Sequence, residues 1–118
     1  MKYVDGFLAA VPKANKDAYL KQAKFAAEIF KEYGASRVVE CWADDMPEGE
    51  VTSFPKAVHL KDDEAVCFSW IEYPDKESRD ACQKAVHSDP RFANMDMSSM
   101  PFDGQRMIFG SFAPIMDE

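Results

Sequence analysis

The groups in this sequence that could do chemistry are isolated polar residues set among aromatics. Glu40, Trp42 and Asp44 alternate, so in an extended chain they share one face. Trp70 stands in a later apolar run. Two indole rings beside carboxylates suit an organic cation, which gains from the ring faces and from the charge. His59, between Val58 and Leu60, has an ordinary titration range that fits a general base. Arg106 offers a planar cation to an anionic ligand, with Asp5 on a neighbouring strand to hold it. Tyr3 shares the face of Asp5. Each group also has a structural reading. Asp5 and Arg106 make a buried ion pair, Glu40 and Trp42 a charged sheet edge with dimer contacts, and His59 a core or capping residue.

Between Trp42 and Phe54 lies an acidic turn with Asp44, Asp45, Glu48 and Glu50, broken by Pro47 and Gly49. Carboxylates suit Ca²⁺ or Mg²⁺, but this spacing is not that of an EF-hand loop, and the turn reads as a solvated loop with no metal. With two histidines in the chain, a histidine-rich metal site within one subunit is excluded. His87 falls at a helix end, where it complements the helix dipole. The three cysteines, Cys41, Cys67 and Cys82, are odd in number and lack CxxC spacing. They read as reduced, mostly buried thiols of a cytoplasmic protein. No phosphate-binding loop, HExxH or nucleophile elbow is present, and no cofactor is expected.

The charge balance narrows the partners. Fourteen Lys and Arg against 21 Asp and Glu leave −7. That opposes non-specific nucleic-acid binding and attraction to an anionic membrane surface. No apolar run approaches the roughly 20 residues of a bilayer span, and the start of the chain does not read as a secretory leader. At 118 residues, 47% of them hydrophobic, residues 1–118 are expected to form a single domain with a real core.

These groups must be positioned by regular elements. Residues 2–11 alternate as a strand, with Tyr3, Asp5, Phe7 and Ala9 on one face and Val4, Gly6, Leu8 and Ala10 on the other. Gly6 marks a close approach by another backbone or side chain. Asn15 is placed to cap a long helix whose stripe runs through Tyr19, Ala23, Ala26, Phe30 and Tyr33, with Gly34 as its stop. Strands follow over 36–43 and 64–73, separated by the acidic turn and an ambiguous segment, 54–60. Asp75 caps a helix over 76–87, with Ala81, Cys82, Ala85 and Val86 inward, and Asp89-Pro90 starts a short extra turn. Residues 94–103 read as irregular and methionine-rich, and 104–113 as the last strand.

This order, βαββαβ, predicts an α+β, ferredoxin-like fold. Right-handed crossovers give a four-stranded antiparallel sheet in the order 4-1-3-2, with both helices on one face. The strands are nevertheless apolar on both faces. A bare sheet face so rich in aromatics exceeds what a monomer leaves in water, so a second copy is expected to cover it in a homodimer.

Several segments carry a family resemblance: YVDGF at 3–7, ECWADD at 40–45, SFPKAV at 53–58, FSWI at 68–71, RDA at 79–81, DPRF at 89–92 and MPFDGQRMIFGSF at 100–112. Together they resemble the YbaA-like family, a bacterial domain family of unknown function. The resemblance implies the dimeric α/β-barrel superfamily, whose pockets lie between a sheet and its helices or inside the barrel. It implies no particular reaction and no catalytic residues. The family pattern near the end looks like Gly-Gly-Phe, where this chain has Gly110-Ser111-Phe112, and the added hydroxyl needs a partner.

The expected protein is a cytoplasmic homodimer that binds a small organic molecule through Tyr3, Glu40, Trp42, His59, Trp70 and Arg106. A cofactor-independent enzyme is one form this reading takes, with His59, Arg106 and Asp5 as the catalytic candidates. The alternative is a structural or protein-interaction module without catalysis.

Overall fold

β1 (Tyr3–Pro12) is the centre of the molecule, hydrogen-bonded on both sides along the sheet. In this computed structural model the described residues are 1–96 and 99–118. A 3₁₀ turn leads into α1 (Lys16–Glu32), and then β2 (Arg37–Trp42), a single turn α2 (Phe54–Ala57), β3 (Glu64–Tyr73), α3 (Lys76–Ser88), a single turn α4 (Pro90–Ala93) and β4 (Ile108–Phe112). The strand order β2-β3-β1-β4, antiparallel throughout, is the predicted ferredoxin-like topology.

Alternation along each strand sorts the side chains into two layers. Toward the helices point Asp5, Phe7, Ala9 and Val11 of β1, and Cys67, Ser69, Ile71 and Tyr73 of β3. Ile29 of α1 and Cys82 and Val86 of α3 close a core over Ile71 and Tyr73. The opposite face carries no long helix. α2 and Val58 cover one end of it, over Ala10 and Val66. The remainder leaves Phe68 44%, Ile108 45% and Phe112 60% exposed, with Trp70 half-buried among them.

Local chemistry accounts for the ends of the elements. Asp75 accepts from the Ser78 amide at 2.7 Å, and Ser53 from the Lys56 amide at 3.2 Å, which resolves 54–60 as a capped turn with Pro55 in its first positions. Gly34 ends α1 with φ 113°, a left-handed conformation that L side chains rarely adopt. The Phe112 ring lies against Gly6 and Gly110, which face each other across β1 and β4. That ring is the close approach predicted at Gly6.

Three expectations are corrected. The last strand begins at Ile108, because Asp103 accepts from the Gln105 amide at 3.0 Å and from Arg106 Nε at 3.0 Å, folding 103–107 into turns. Asn15 occupies the cap position of α1, but its amide donates instead to the Pro101 carbonyl at 3.2 Å. Ala81 is exposed, because α3 turns Cys82 and Val86 to the core. Within the irregular stretch predicted over 94–103, Met97 and Ser98 lie outside the described residues.

A candidate binding cavity beside Glu40

Helix α1 carries alanines where a filled core would carry larger side chains. Ala23, Ala26 and Ala27 face the sheet, and opposite them Ala9 and Ser69 are also small. Small residues on both layers leave space that close packing would otherwise remove. The result is a cavity of about 430 Å³ between α1 and the sheet. Phe7, Val38 and Ile71 form its floor, and Phe30, Phe92, Phe102 and the thioethers of Met95, Met100 and Met107 line its sides.

The cavity's polar groups are Tyr19, Gln22, Glu40, Ser69 and His87. Glu40, half-buried on β2, is the acidic one. Its Oε1 accepts from the Tyr19 hydroxyl at 2.7 Å and from the Cys67 thiol at 3.3 Å. Burial, reinforced by the Glu40 charge, pushes the Tyr19 phenol far above its ordinary value and the Cys67 thiol up to about 12. Both therefore stay protonated as donors, and Cys67 is no nucleophile at neutral pH. Gln22 turns its amide onto the sulfurs of Met95 and Met100. His87 Nδ1 lies 2.7 Å from the Gln83 carbonyl, so that nitrogen donates to it.

The sequence-predicted residues are not assembled into one pocket. Glu40 alone of them lines the cavity. Trp42 pairs with Cys67, and Trp70 with Val39, so register parity puts the two indoles on opposite faces of the sheet. Trp42 packs over Ala9, Val11 and Cys67, with Lys16 Nζ 5.1 Å from its ring centre. Trp70 Nε1 donates to Glu72 at 2.9 Å on the open face. His59 is exposed in a turn at φ 50° and meets Arg106 only through its carbonyl, 3.0 Å from Nη1. Tyr3 packs on the core side, with the Arg79 guanidinium 5.8 Å from its ring centre.

Asp5 and Arg106 do not pair with each other. β4 starts two residues after Arg106, so Arg106 sits in the preceding turn and forks onto Glu64 at 2.6 and 2.7 Å. The buried Asp5 accepts from Tyr73 at 3.0 Å, Gln83 at 3.0 Å, Ser111 at 2.6 Å and Arg79 at 3.2 Å. Burial, with Asp5 beside it, drives the Tyr73 phenol well above its ordinary value. Both carboxylate oxygens of Asp5 are thus engaged within the fold, in a network with Arg79 in the place expected for Arg106. The acidic residues 44, 45, 48 and 50 are exposed, and Lys56 Nζ donates to the carbonyls of Gly49 and Glu50 at 2.7 and 3.0 Å. Among the described residues, no three His, Cys, Asp or Glu converge as metal ligands.

Sequence reasoning missed Tyr19, Gln22 and the methionine wall as site residues. Their signal lay in the α1 stripe, where Ala23, Ala26 and Ala27 follow Tyr19 at core-facing positions.

A family model described as a protein of unknown function (DUF1428) matches residues 2–104. The uncharacterized protein YbaA of Escherichia coli (strain K12) is 58% identical over 118 residues, covering 100% of both chains, and the protein of that name from Shigella flexneri matches equally. Among solved structures, an uncharacterized NIPSNAP domain protein from Burkholderia xenovorans superposes with a TM-score of 0.61 at 17% identity, over 98% of this chain and 99% of that one. A dimeric ferredoxin-like protein from an uncultured marine organism gives 0.62 at 10% identity, over 98% and 97%. At those identities the likeness is one of fold.

Proposed function

We propose that this chain, which belongs to the DUF1428 family of proteins of unknown function, binds a small, largely apolar organic molecule between α1 and the sheet, and does so as a homodimer. The observation that carries the reading is the cavity beside Glu40. Its 430 Å³ falls within the roughly 300–1,000 Å³ of ligand pockets, and its walls combine rings and thioethers with a few placed polar groups.

The dimer is supported by the uncovered sheet face, where Phe68, Trp70, Ile108 and Phe112 form an apolar surface. Sheet-on-sheet association of two copies leaves both helix-side cavities free, one in each protomer. A structural neighbour is described as a dimeric ferredoxin-like protein, which supports a dimer here. No described helix is long and apolar enough to cross a membrane, and the three free cysteines suit a reducing compartment such as the cytoplasm.

The test is to fill the cavity. The neutral, polarity-sensitive dye prodan is expected to bind wild type saturably, one per chain. Ala26→Leu and Ala27→Leu project new bulk into the space and are expected to weaken binding at least about tenfold, while the urea midpoint stays close to wild type. Undiminished dye binding in both folded variants refutes the site. A chain that takes up no dye favours the structural or interaction module instead.

A further inference from the structure

Among the described residues, the acid of the cavity has no counter-charge. Tyr19 and Cys67 both donate to Oε1 of Glu40, and among the described residues Oε2 accepts no hydrogen bond. No lysine or arginine among the described residues forms an ion pair with Glu40 either. Lys16 is placed over the Trp42 ring, its Nζ 5.1 Å from the ring centre. Asp5, Glu64 and Asp89, the acids that are fully buried among the described residues, are each held by an arginine. The half-buried Glu40 is not, and it is the acid that borders the cavity.

Its chemistry is decided by what happens when the cavity fills. An apolar occupant displaces water from the carboxylate, and a carboxylate stripped of water without a cation is strongly disfavoured. A neutral occupant would therefore bind against that cost. An occupant with a protonated nitrogen removes it, through a charge-assisted hydrogen bond to the free oxygen. Aromatic walls tolerate a cation against their ring faces where aliphatic walls do not. The protonated Tyr19 and Cys67 hold the carboxylate in place without neutralising it.

Resting on the cavity reading above, we infer that the ligand of this site is an organic amine: an apolar, ring-sized body with one cationic nitrogen seated on Oε2 of Glu40. The carboxylate fixes orientation, and the body fills the space bounded by Ala23, Ala26, Phe30 and Phe102.

A matched pair of competitors tests the inference. 4-Phenylbutylamine and 4-phenylbutan-1-ol differ in the cationic head and little else, and each is titrated against prodan bound to the full chain at pH 7. The amine is expected to displace the dye at least about tenfold more tightly than the alcohol, the scale of a charge-assisted bond. Glu40→Gln keeps the shape and an acceptor oxygen for Tyr19 and Cys67 but removes the charge, and it is expected to bring the ratio close to one, with neutral prodan bound at least as tightly as by wild type. Glu40→Asp keeps the charge but withdraws it by one methylene, and an intermediate ratio is expected there. Equal displacement by amine and alcohol in wild type overturns the amine while leaving the cavity standing. An amine preference that survives in Glu40→Gln overturns the role of Glu40. Failure of prodan to bind wild type removes the cavity reading and this inference with it.

Discussion

Ser111 donates to Asp5 at 2.6 Å, directly across the β1–β4 ladder. The same oxygen accepts from Arg79 Nη2 at 2.7 Å, so one hydroxyl bridges a buried acid to the guanidinium that reaches it from α3. The serine gives the sheet edge a contact that a glycine cannot make. The side chain finds room because Phe112 turns to the other face, over Gly6 and Gly110.

Removing the hydroxyl leaves Asp5 its other three donors, so Ser111→Gly is expected to lower unfolding free energy by about 1 kcal/mol in urea. Asp5→Ala strands Tyr73, Gln83 and Arg79 together and is expected to cost about 3 kcal/mol. The double variant reads the coupling. If the two losses simply add, the bridge contributes nothing beyond its separate parts.

Stability at low pH follows Glu64. The Arg106 fork, with the Lys61 amide donating at 2.8 Å, holds its carboxyl at about 2 against an ordinary 4.5. The folded value is the depressed one, so this contribution is complete above about pH 4.5 and is lost as pH falls toward 2. Glu32, Asp75, Asp89 and Asp103 are shifted in the same direction. Wild-type urea midpoints are therefore expected to fall across that window. Glu64→Gln is expected to flatten the slope there, and an unchanged slope would remove Glu64 as its source.

The two tryptophans report on opposite faces. With Trp70 alone (Trp42→Phe), emission is expected to shift red when the proposed dimer is diluted apart, because the open face becomes wet. With Trp42 alone (Trp70→Phe), the same dilution is expected to change little, since Trp42 lies in the helix-side layer. Phe112→Glu places a charge on the face proposed for the dimer and is expected to yield monomers in sedimentation. A variant that remains dimeric would mean that association uses another surface.

How much of this was legible without coordinates divides along physical lines. The strand over 64–73, the helix after Asp75 and the stop at Gly34 were read correctly because each is a local matter. Period-two alternation, a carboxylate reaching the third amide and a left-handed glycine are all set within a few residues. The element order carried the sheet order as well, because right-handed crossovers leave few alternatives. Two-sided apolar strands announced the uncovered face, since alternation shows both faces at once.

Partnership was decided only in three dimensions. The sequence supplied both Asp5 and its arginine, but whether that arginine was 79 or 106 depended on where the last turn released the chain into β4. Trp42 and Trp70 each had a face, but whether the faces matched depended on the β2–β3 register, and a shift of one residue reverses the answer. The cavity is the most tertiary feature of all. Alanines along α1 are visible in the sequence, but a void exists only when a second layer also withholds its side chains. That coincidence of Ala23, Ala26 and Ala27 with Ala9 and Ser69 is made by the packing of a helix on a sheet, not by either element alone.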